Sequence, residues 1–407
     1  MDARQEKGLQ IAATTKLVAD GNMWLVPSQA GKGKYVVDAY AKQCTCPDYE
    51  TRQATCKHLF AVEYTIQREY TDDGETQTVT ETVTVKKTYS QQWPAYNAAQ
   101  VNEKDQFQKL LFELCKGIGE PSQKTGRPRL PLEDMLFSAC FKVYSTVSGR
   151  RFMSDLRDAQ GKGYITKTPH YNSIFNTLED EKLTDYLKMM IEESSLPLKA
   201  IEIDFAVDSS GFSTSRFVQW MHAKYKNPHL IQRRQFIKCH IVCGVKTNIV
   251  TAVEMTEGLS GDSPQFKPLV EATAKNFVMQ EVSADKAYLS TANLQTVVDN
   301  HAQPYIPFKT NSTQEMTQKR PTPAIWKQMF HLYSYNTERF LEHYHKRSNV
   351  ETTFHMIKSK FGIALRSKSK TAQINEALCK VLCHNICCLI QSMFELNVKP
   401  EFWGEAL

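Results

Sequence analysis

The segment EHYHKRSNVETTFHMIKSKFG, residues 342–362, sets Tyr344, Arg347, Glu351 and Lys358 at offsets of −7, −4, 0 and +7 about one glutamate. At roughly 100° per residue these four side chains fall in a stripe about 60° wide on one side of a helix. Val350, Phe354, Ile357 and Phe361 repeat with the same period about 100° further around. The helix is therefore expected to bury one face and to carry a carboxylate, a guanidinium, an ammonium and a phenol on its neighbour. Two aspartates belong with it. Asp208 closes KAIEIDFAVD before Ser209-Ser210-Gly211, and Asp285 closes EVSAD before Lys286-Ala287-Tyr288. Carboxylates at the ends of neighbouring strands, with Glu351 packed beside them, form an acidic cluster that hard cations must neutralise. Mg²⁺ suits oxygen ligands of this kind. Two such ions, about 4 Å apart, activate an attacking oxygen and stabilise the leaving one in an in-line displacement at phosphorus. Arg347 and Lys358 would hold the phosphodiester. Asp204 and Glu202 share a strand face with Asp208, and either replaces it in a shifted register; the Ser-Ser-Gly turn favours Asp208.

A second constellation lies near the N-terminus. Cys44, Cys46, Cys56 and His58 form a C-x-C-x9-C-x-H array. Three thiolates and an imidazole supply the four ligands of a closed tetrahedral Zn²⁺ site, with no open position for catalysis. A site this small couples metal binding to folding. Other chemistry-bearing residues read as structural. Asp262 in GDSPQF reads as the N-cap of the following helix. His240 reads as a packed histidine, and Cys379, Cys383 and Cys387, beside His384, as buried thiols of an apolar core helix.

The elements that position these groups follow from periodicity. MWLVPS and KYVVDAY are β-like runs split by GKGK, and LFAVEYTI is helical, so residues 1–70 form a small zinc-binding module. Residues 71–95 are a Thr-rich linker or hairpin. Residues 96–196 carry helical periodicity broken by Pro and Gly, with Lys124, Arg127, Arg129, Arg150, Arg151 and Arg157 in and around the connectors. That pattern suits a helical DNA-binding domain of the helix-turn-helix kind. From 197 to 407 the order β-β-β-α-β-α-β and a final helix make a mixed α/β domain.

The chain has 407 residues, which implies several domains, and 41% hydrophobic content, which is globular. Eleven cysteines, unevenly clustered, fit reduced thiols and a metal rather than a disulfide framework. MDARQEKGLQ lacks the apolar core of a signal peptide and no run of about 18 apolar residues stands out, so a cytoplasmic, nucleoid-associated protein without a membrane partner is expected. The net charge is +6, yet Ser209 to Val253 alone holds seven cations and no carboxylate. Arg216, Lys224, Lys226, Arg233 and Arg234 lie there with Lys238 and Lys246, interleaved with Phe212, Phe217, Trp220, Tyr225 and Phe236. Cations neutralise phosphates and aromatic rings stack on bases, so this segment is a candidate DNA contact.

Tyr344-x2-Arg347-x3-Glu351-x6-Lys358, with AVDSSGF and VSADKAYLS upstream, resembles the Y-R-E-K signature and the two aspartate motifs of bacterial and archaeal insertion-sequence transposases of the DDE class. The resemblance covers roughly residues 197–395. It implies an RNase H-like catalytic domain with Asp208, Asp285 and Glu351 as the Mg²⁺-binding triad, Mn²⁺ substituting. It further implies Tyr344, Arg347 and Lys358 as contacts to the transposon-end phosphates. The implied activity is cleavage at the ends of the element to expose a 3′-hydroxyl, followed by attack of that hydroxyl on target DNA. Partners would be double-stranded DNA, as terminal inverted repeats and target, and a second copy of the chain in the DNA complex. The 65 residues between Asp285 and Glu351 leave no room for the large β-rich insertion of some relatives. The cysteine array resembles the SWIM zinc-binding module, with Trp24, Val26 and Tyr35 upstream. The alternative to an active enzyme is a catalytically silent, transposase-derived DNA-binding regulator; the intact acidic triad favours the enzyme.

Overall fold

A computed structural model describes residues 3–15, 17–20, 23–29, 33–70, 92–123, 125–126, 128–214, 236–315 and 322–404. Contacts divide the chain into two compact units, Met1–Ser90 and Gln91–Leu407. Residues 71–91 of the Thr-rich segment lie outside the described residues.

In the first unit α1 (Ala3–Thr14) precedes an antiparallel meander of β1 (Val18–Asp20), β2 (Met23–Pro27), β3 (Lys34–Asp38) and β4 (Gln43–Cys44), followed by α2 (Pro47–Arg52) and α3 (Lys57–Tyr70). The period-two alternation of β2 turns Trp24 and Val26 inward and leaves Met23 and Leu25 exposed. The inward residues meet Val37, Cys44, Cys46 and Cys56 in one small core.

The second unit opens with six helices: α4 (Trp93–Val101), α5 (Glu103–Lys116), α6 (Leu132–Ser145), α7 (Gly149–Gly161), α8 (Tyr171–Leu178) and α9 (Lys182–Ser195). An α/β portion follows: β5 (Asp204–Ser213), β6 (Phe236–Gly244), β7 (Val250–Glu257), α10 (Ser263–Ala274), β8 (Glu281–Ala284), α11 (Thr291–Asp299) and β9 (Gln303–Tyr305). It closes with α12 (Ala324–Tyr335), α13 (Thr337–Tyr344), α14 (Ser348–Phe361) and α15 (Lys370–Glu395). The five-stranded sheet runs β7-β6-β5-β8-β9, antiparallel on the β7 side of β5 and parallel on the β8 side. In register, Val207 pairs with Ala284. Asp208 and Asp285, the next residue on each strand, therefore stand side by side where the parallel pairing ends: β8 stops at Ala284, whereas β5 runs on to Ser213 paired with β6.

The sheet is the middle of three layers. Phe205, Val207 and Val242 point into a core with α10, α11, α12 and α13. Ala206, Ile237, Ile241 and Val253 point into the opposite core, which contains residues of α4 to α9, α14 and α15. The helices expected to form a separate domain over 96–196 thus share one core with the sheet. The physical cause is α15, a 26-residue helix with a long apolar stretch whose polar residues Asn375, Lys380, His384 and Asn385 are also buried, so that it lies between the helical segment and the sheet. Among the described residues α15 is also the one helix long and apolar enough to cross a membrane, and 78% of that stretch is buried within the protein.

Both boundaries of β5 differ from the sequence expectation. Asp208 does not close it before a Ser-Ser-Gly turn, since Ser209, Ser210 and Gly211 continue β5 in antiparallel pairing with His240, Cys239 and Lys238. KAIEIDFAVD alternates from Ile201, yet β5 begins at Asp204 and Ile203 is exposed. Glu202 turns inward to accept the backbone N–H groups of Lys246 at 3.1 Å and Thr247 at 2.5 Å in the β6–β7 turn. A Cβ on Gly244 would lie 2.3 Å from the Glu202 carboxyl carbon, which explains the glycine there.

Candidate active site

Arg347 joins the two ends of the signature. Its Nη2 lies 2.8 Å from Asp208 Oδ2 and its Nη1 2.8 Å from Glu351 Oε1, so one guanidinium bridges a carboxylate in the middle of β5 and one on α14. The Asp208 and Arg347 side chains are 17% and 18% exposed, whereas Glu351 is 60% exposed. Burial raises the Asp208 pKa and Asp285 pushes it further up; the Ser209 N–H at 2.8 Å and Arg347 pull it down. Asp285 accepts the Lys286 N–H at 2.6 Å. Tyr344 belongs to the same group: burial raises its hydroxyl, Asp285 and Asp208 add to the rise, and Arg347 opposes it. Lys358 donates to Ser210 Oγ at 2.5 Å and lies 5.6 Å from the centre of the Phe212 ring, and burial lowers its pKa.

The helix of the signature is not continuous. α13 ends at Tyr344, a 3₁₀ turn spans His345–Arg347, and α14 begins at Ser348. The backbone stays right-handed through the turn, and Arg347 still reaches Glu351 one turn on. Val350, Phe354, Ile357 and Phe361 are buried, as their period requires. Among the described residues the group of side chains that converges as a metal-ligand set is Cys44, Cys46, Cys56 and His58; Asp208, Asp285 and Glu351 do not form one.

The competing carboxylates have other partners. Asp204 pairs with Lys346 at 2.8 Å, and Lys346 also reaches Glu281 at 2.7 Å. Asp262 stands at the N-cap position of α10 but makes no side-chain capping bond. It accepts Ser209 Oγ at 2.7 Å and pairs with Lys238 at 2.5 Å, one residue from Asp208 along the chain. Its role there is invisible to capping rules, because the partners come from two other strands. His240 is fully buried and its Nε2 lies 2.8 Å from Thr256 Oγ1. Cys379 and Cys383 are buried, with Cys140 Sγ 3.9 Å from Cys379 Sγ. Cys387 is partly buried and takes a contact from Lys360 Nζ at 3.3 Å.

The basic segment is only partly described. Arg216, Lys224, Lys226, Arg233 and Arg234 lie outside the described residues, as do Phe217, Trp220 and Tyr225. Phe212, expected to stack on bases, is fully buried under Lys358 and Lys380, where its β5 position faces the core. In the helical segment Arg150, Arg151 and Arg157 are exposed on α7.

In the first unit the four predicted ligands converge. Cys44 sits on β4, Cys46 at the N-cap of α2, and Cys56 and His58 at the start of α3; all are buried and their ligand atoms lie within 4.8 Å of one another. His58 Nδ1 is 3.8 Å from Cys44 Sγ and 3.9 Å from Cys56 Sγ. Zn–S of about 2.3 Å and Zn–N of about 2.0 Å in a tetrahedron put ligand atoms at nearly these separations. The neighbouring Cys44 thiol, then His58 and a backbone N–H, lower the Cys56 pKa against the effect of burial. The donor set fits a closed structural zinc site.

A β5-centred mixed sheet with helices on both faces, Asp208 on the central strand and Asp285 just past its parallel neighbour, defines an RNase H-like α/β domain. Residues 200–386 match the family of the transposase DDE domain, and residues 35–67 match the SWIM zinc finger. The chain carries a DDE transposase domain preceded by a SWIM zinc finger. No curated protein matches it.

Proposed function

We propose that the second unit is an active DNA transposase that cleaves at the ends of an element and transfers the resulting 3′-hydroxyl into target DNA. The observation that carries this reading is the register of β5 and β8, which delivers Asp208 and Asp285 side by side, together with Arg347 linking Asp208 to Glu351. Asp208, Asp285 and Glu351 would hold two Mg²⁺ ions, with Mn²⁺ substituting, since their oxygen donors fit hard cations; the bound ions supply activation of the attacking oxygen and charge stabilisation at the leaving one. Arg347 has a planar fork already shared between two carboxylates, and a scissile phosphate presents the same pair of oxygens to it. Tyr344 and Lys358 flank it with a hydroxyl and an ammonium for the neighbouring phosphates. In the first step water attacks phosphorus and the strand's 3′-oxygen leaves as a hydroxyl. In the second step that oxygen forms a bond to a target phosphorus and displaces the target strand's own 3′-oxygen. No covalent protein intermediate is required, and joining two ends calls for two copies of the chain. The basic segment 209–253, the exposed arginines of α7 and the zinc finger supply sequence-independent and positioning contacts.

The test is strand cleavage and strand transfer on DNA bearing the terminal repeats, with Mg²⁺, comparing wild type with Glu351→Gln. The wild type should nick and join, while the variant binds DNA but loses at least roughly 10³-fold in rate, the equivalent of several kcal/mol of charge stabilisation. If both bind and neither cuts, with Mn²⁺ also tried, the protein acts as a DNA-binding regulator.

A further inference from the structure

A cavity of about 500 Å³ opens between the α6–α7 turn, α8 and the segment that joins α14 to α15. None of its lining residues belongs to the candidate active site. The floor is apolar, with Leu178 and Phe361 buried there. Phe175 stands at the lining with 40% of its surface exposed. A Cβ on Gly149 would come within 2.7 Å of the Phe175 ring, so the glycine keeps room for that aromatic.

The charges around the cavity are unbalanced. Lys142, Arg366, Lys368 and Lys380 face only Glu179 and Glu376, four cations against two carboxylates. Most of these groups are already engaged. Lys380 Nζ donates to the carbonyls of Gly362 at 2.9 Å and Ala364 at 3.0 Å and lies 3.9 Å from Glu376. Glu376 accepts the backbone N–H groups of Arg366 and Ser367. The Arg366 guanidinium donates to the carbonyls of Thr146 and Val147. Lys142 is different. It is 8% exposed and lines the cavity, and no hydrogen bond or ion pair of its ammonium occurs among the described residues. Burial, and Arg366 beside it, lower its pKa to about 8 against the pull of Glu376. A largely buried cation that meets only the cavity is poorly hydrated, and an anion entering the cavity relieves that cost.

We infer that this cavity binds an organic anion of nucleotide size, its phosphate drawn to Lys142 and its ring seated against Phe175 and the apolar floor. The volume lies within the usual range of about 300–1,000 Å³ for small-molecule sites, and an aromatic ring beside cations is the standard combination for a nucleotide. A nucleotide free in solution and one within a DNA strand present the same chemistry; only the second source rests on the transposase reading above.

The test is calorimetric titration of the full-length, zinc-loaded protein with thymidine 5′-monophosphate, thymidine, inorganic phosphate and a thymidine tetranucleotide. Hydrogen exchange should locate the site. The monophosphate or the tetranucleotide should bind at least about tenfold tighter than thymidine or phosphate alone, and should slow exchange in residues 142–149 and 366–376. Tighter monophosphate binding identifies a free nucleotide as the ligand, and tighter tetranucleotide binding a strand. Lys142→Met should weaken binding by about tenfold or more while Lys142→Arg retains it, with both melting near wild type. Binding of thymidine as tight as both the monophosphate and the tetranucleotide, protection confined to other residues, or unchanged affinity in Lys142→Met would each overturn the assignment. Should Lys142→Met not fold, the ligand ratios and the wild-type exchange map decide it alone.

Discussion

Arg347 holds two carboxylates with one guanidinium, and that arrangement has a measurable energy. Truncating it leaves Asp208, a largely buried acid beside Asp285, without its cation. Arg347→Ala is expected to destabilise the protein by about 1–3 kcal/mol in urea unfolding without divalent ions. Adding Asp208→Asn should recover most of that loss, because the residue left behind no longer carries a charge; a coupling of about 1 kcal/mol or more closes the double-mutant cycle. Additivity within about 0.5 kcal/mol would mean that the bridge does not form in solution. At this scale the sequence is legible where partners are near in the chain. The zinc ligands span residues 44–58 and the Arg347–Glu351 pair is one helical turn apart. The Arg347–Asp208 contact crosses 139 positions, and Asp262 finds Ser209 and Lys238 only once the sheet has formed. Lys142, inside the apolar run LEDMLFSACFKVYSTV, carries no local sign of the cavity it lines.

At the scale of elements, strong periodicity survives folding and its interruptions do not announce themselves. The buried face of α14 follows directly from Val350, Phe354, Ile357 and Phe361, while the 3₁₀ turn at His345–Arg347 leaves that pattern intact and so has no signature. The order of strands and helices from β5 to β9 follows from alternation and turn residues. What escapes it is that α15 serves two layers, since periodicity reports that a face is buried and not against what. α15 also carries a titration. His384 is buried, its Nε2 donating to the Asn248 carbonyl at 2.9 Å, and burial lowers its pKa from 6.5 to about 4. Above pH 6.5 the imidazole is neutral in both the folded and unfolded chain, and its contribution is complete. Below that the unfolded chain takes up a proton that the folded one refuses, so stability falls as pH drops from 6.5 toward about 4 and levels off beneath. The loss attributable to this one group is on the order of 3 kcal/mol. Urea unfolding from pH 7 to pH 4 should show a shallower decline for His384→Gln than for wild type; parallel curves would mean that His384 is protonated in the folded protein.

For the molecule as a whole, the division into two units decides what zinc does. Among the described residues the core of the first unit comprises eleven buried residues, and three of them are Cys44, Cys46 and Cys56. A core this small does not offset the conformational entropy of its chain, so the metal must carry a large share of the folding free energy. Both cores of the second unit are built from residues at or beyond Ala99 and include none of the zinc ligands. Zinc removal should therefore unfold one unit and spare the other. With one zinc bound per chain, a high-affinity chelator should release it and abolish hydrogen-exchange protection over residues 17–62, at a free energy of about 10 kcal/mol or more for the metal–protein interaction at pH 7. Protection in Phe205–Phe212 of β5 and Leu378–Ile390 of α15 should persist, and Glu351-dependent cleavage of a short terminal-repeat duplex should be retained in kind. If β5 and α15 lose protection together with residues 17–62, the stability of the catalytic unit depends on the zinc unit, and the finger is part of one cooperative fold. If residues 17–62 stay protected after the metal has left, their small apolar core suffices alone and the thiolate cluster serves another purpose.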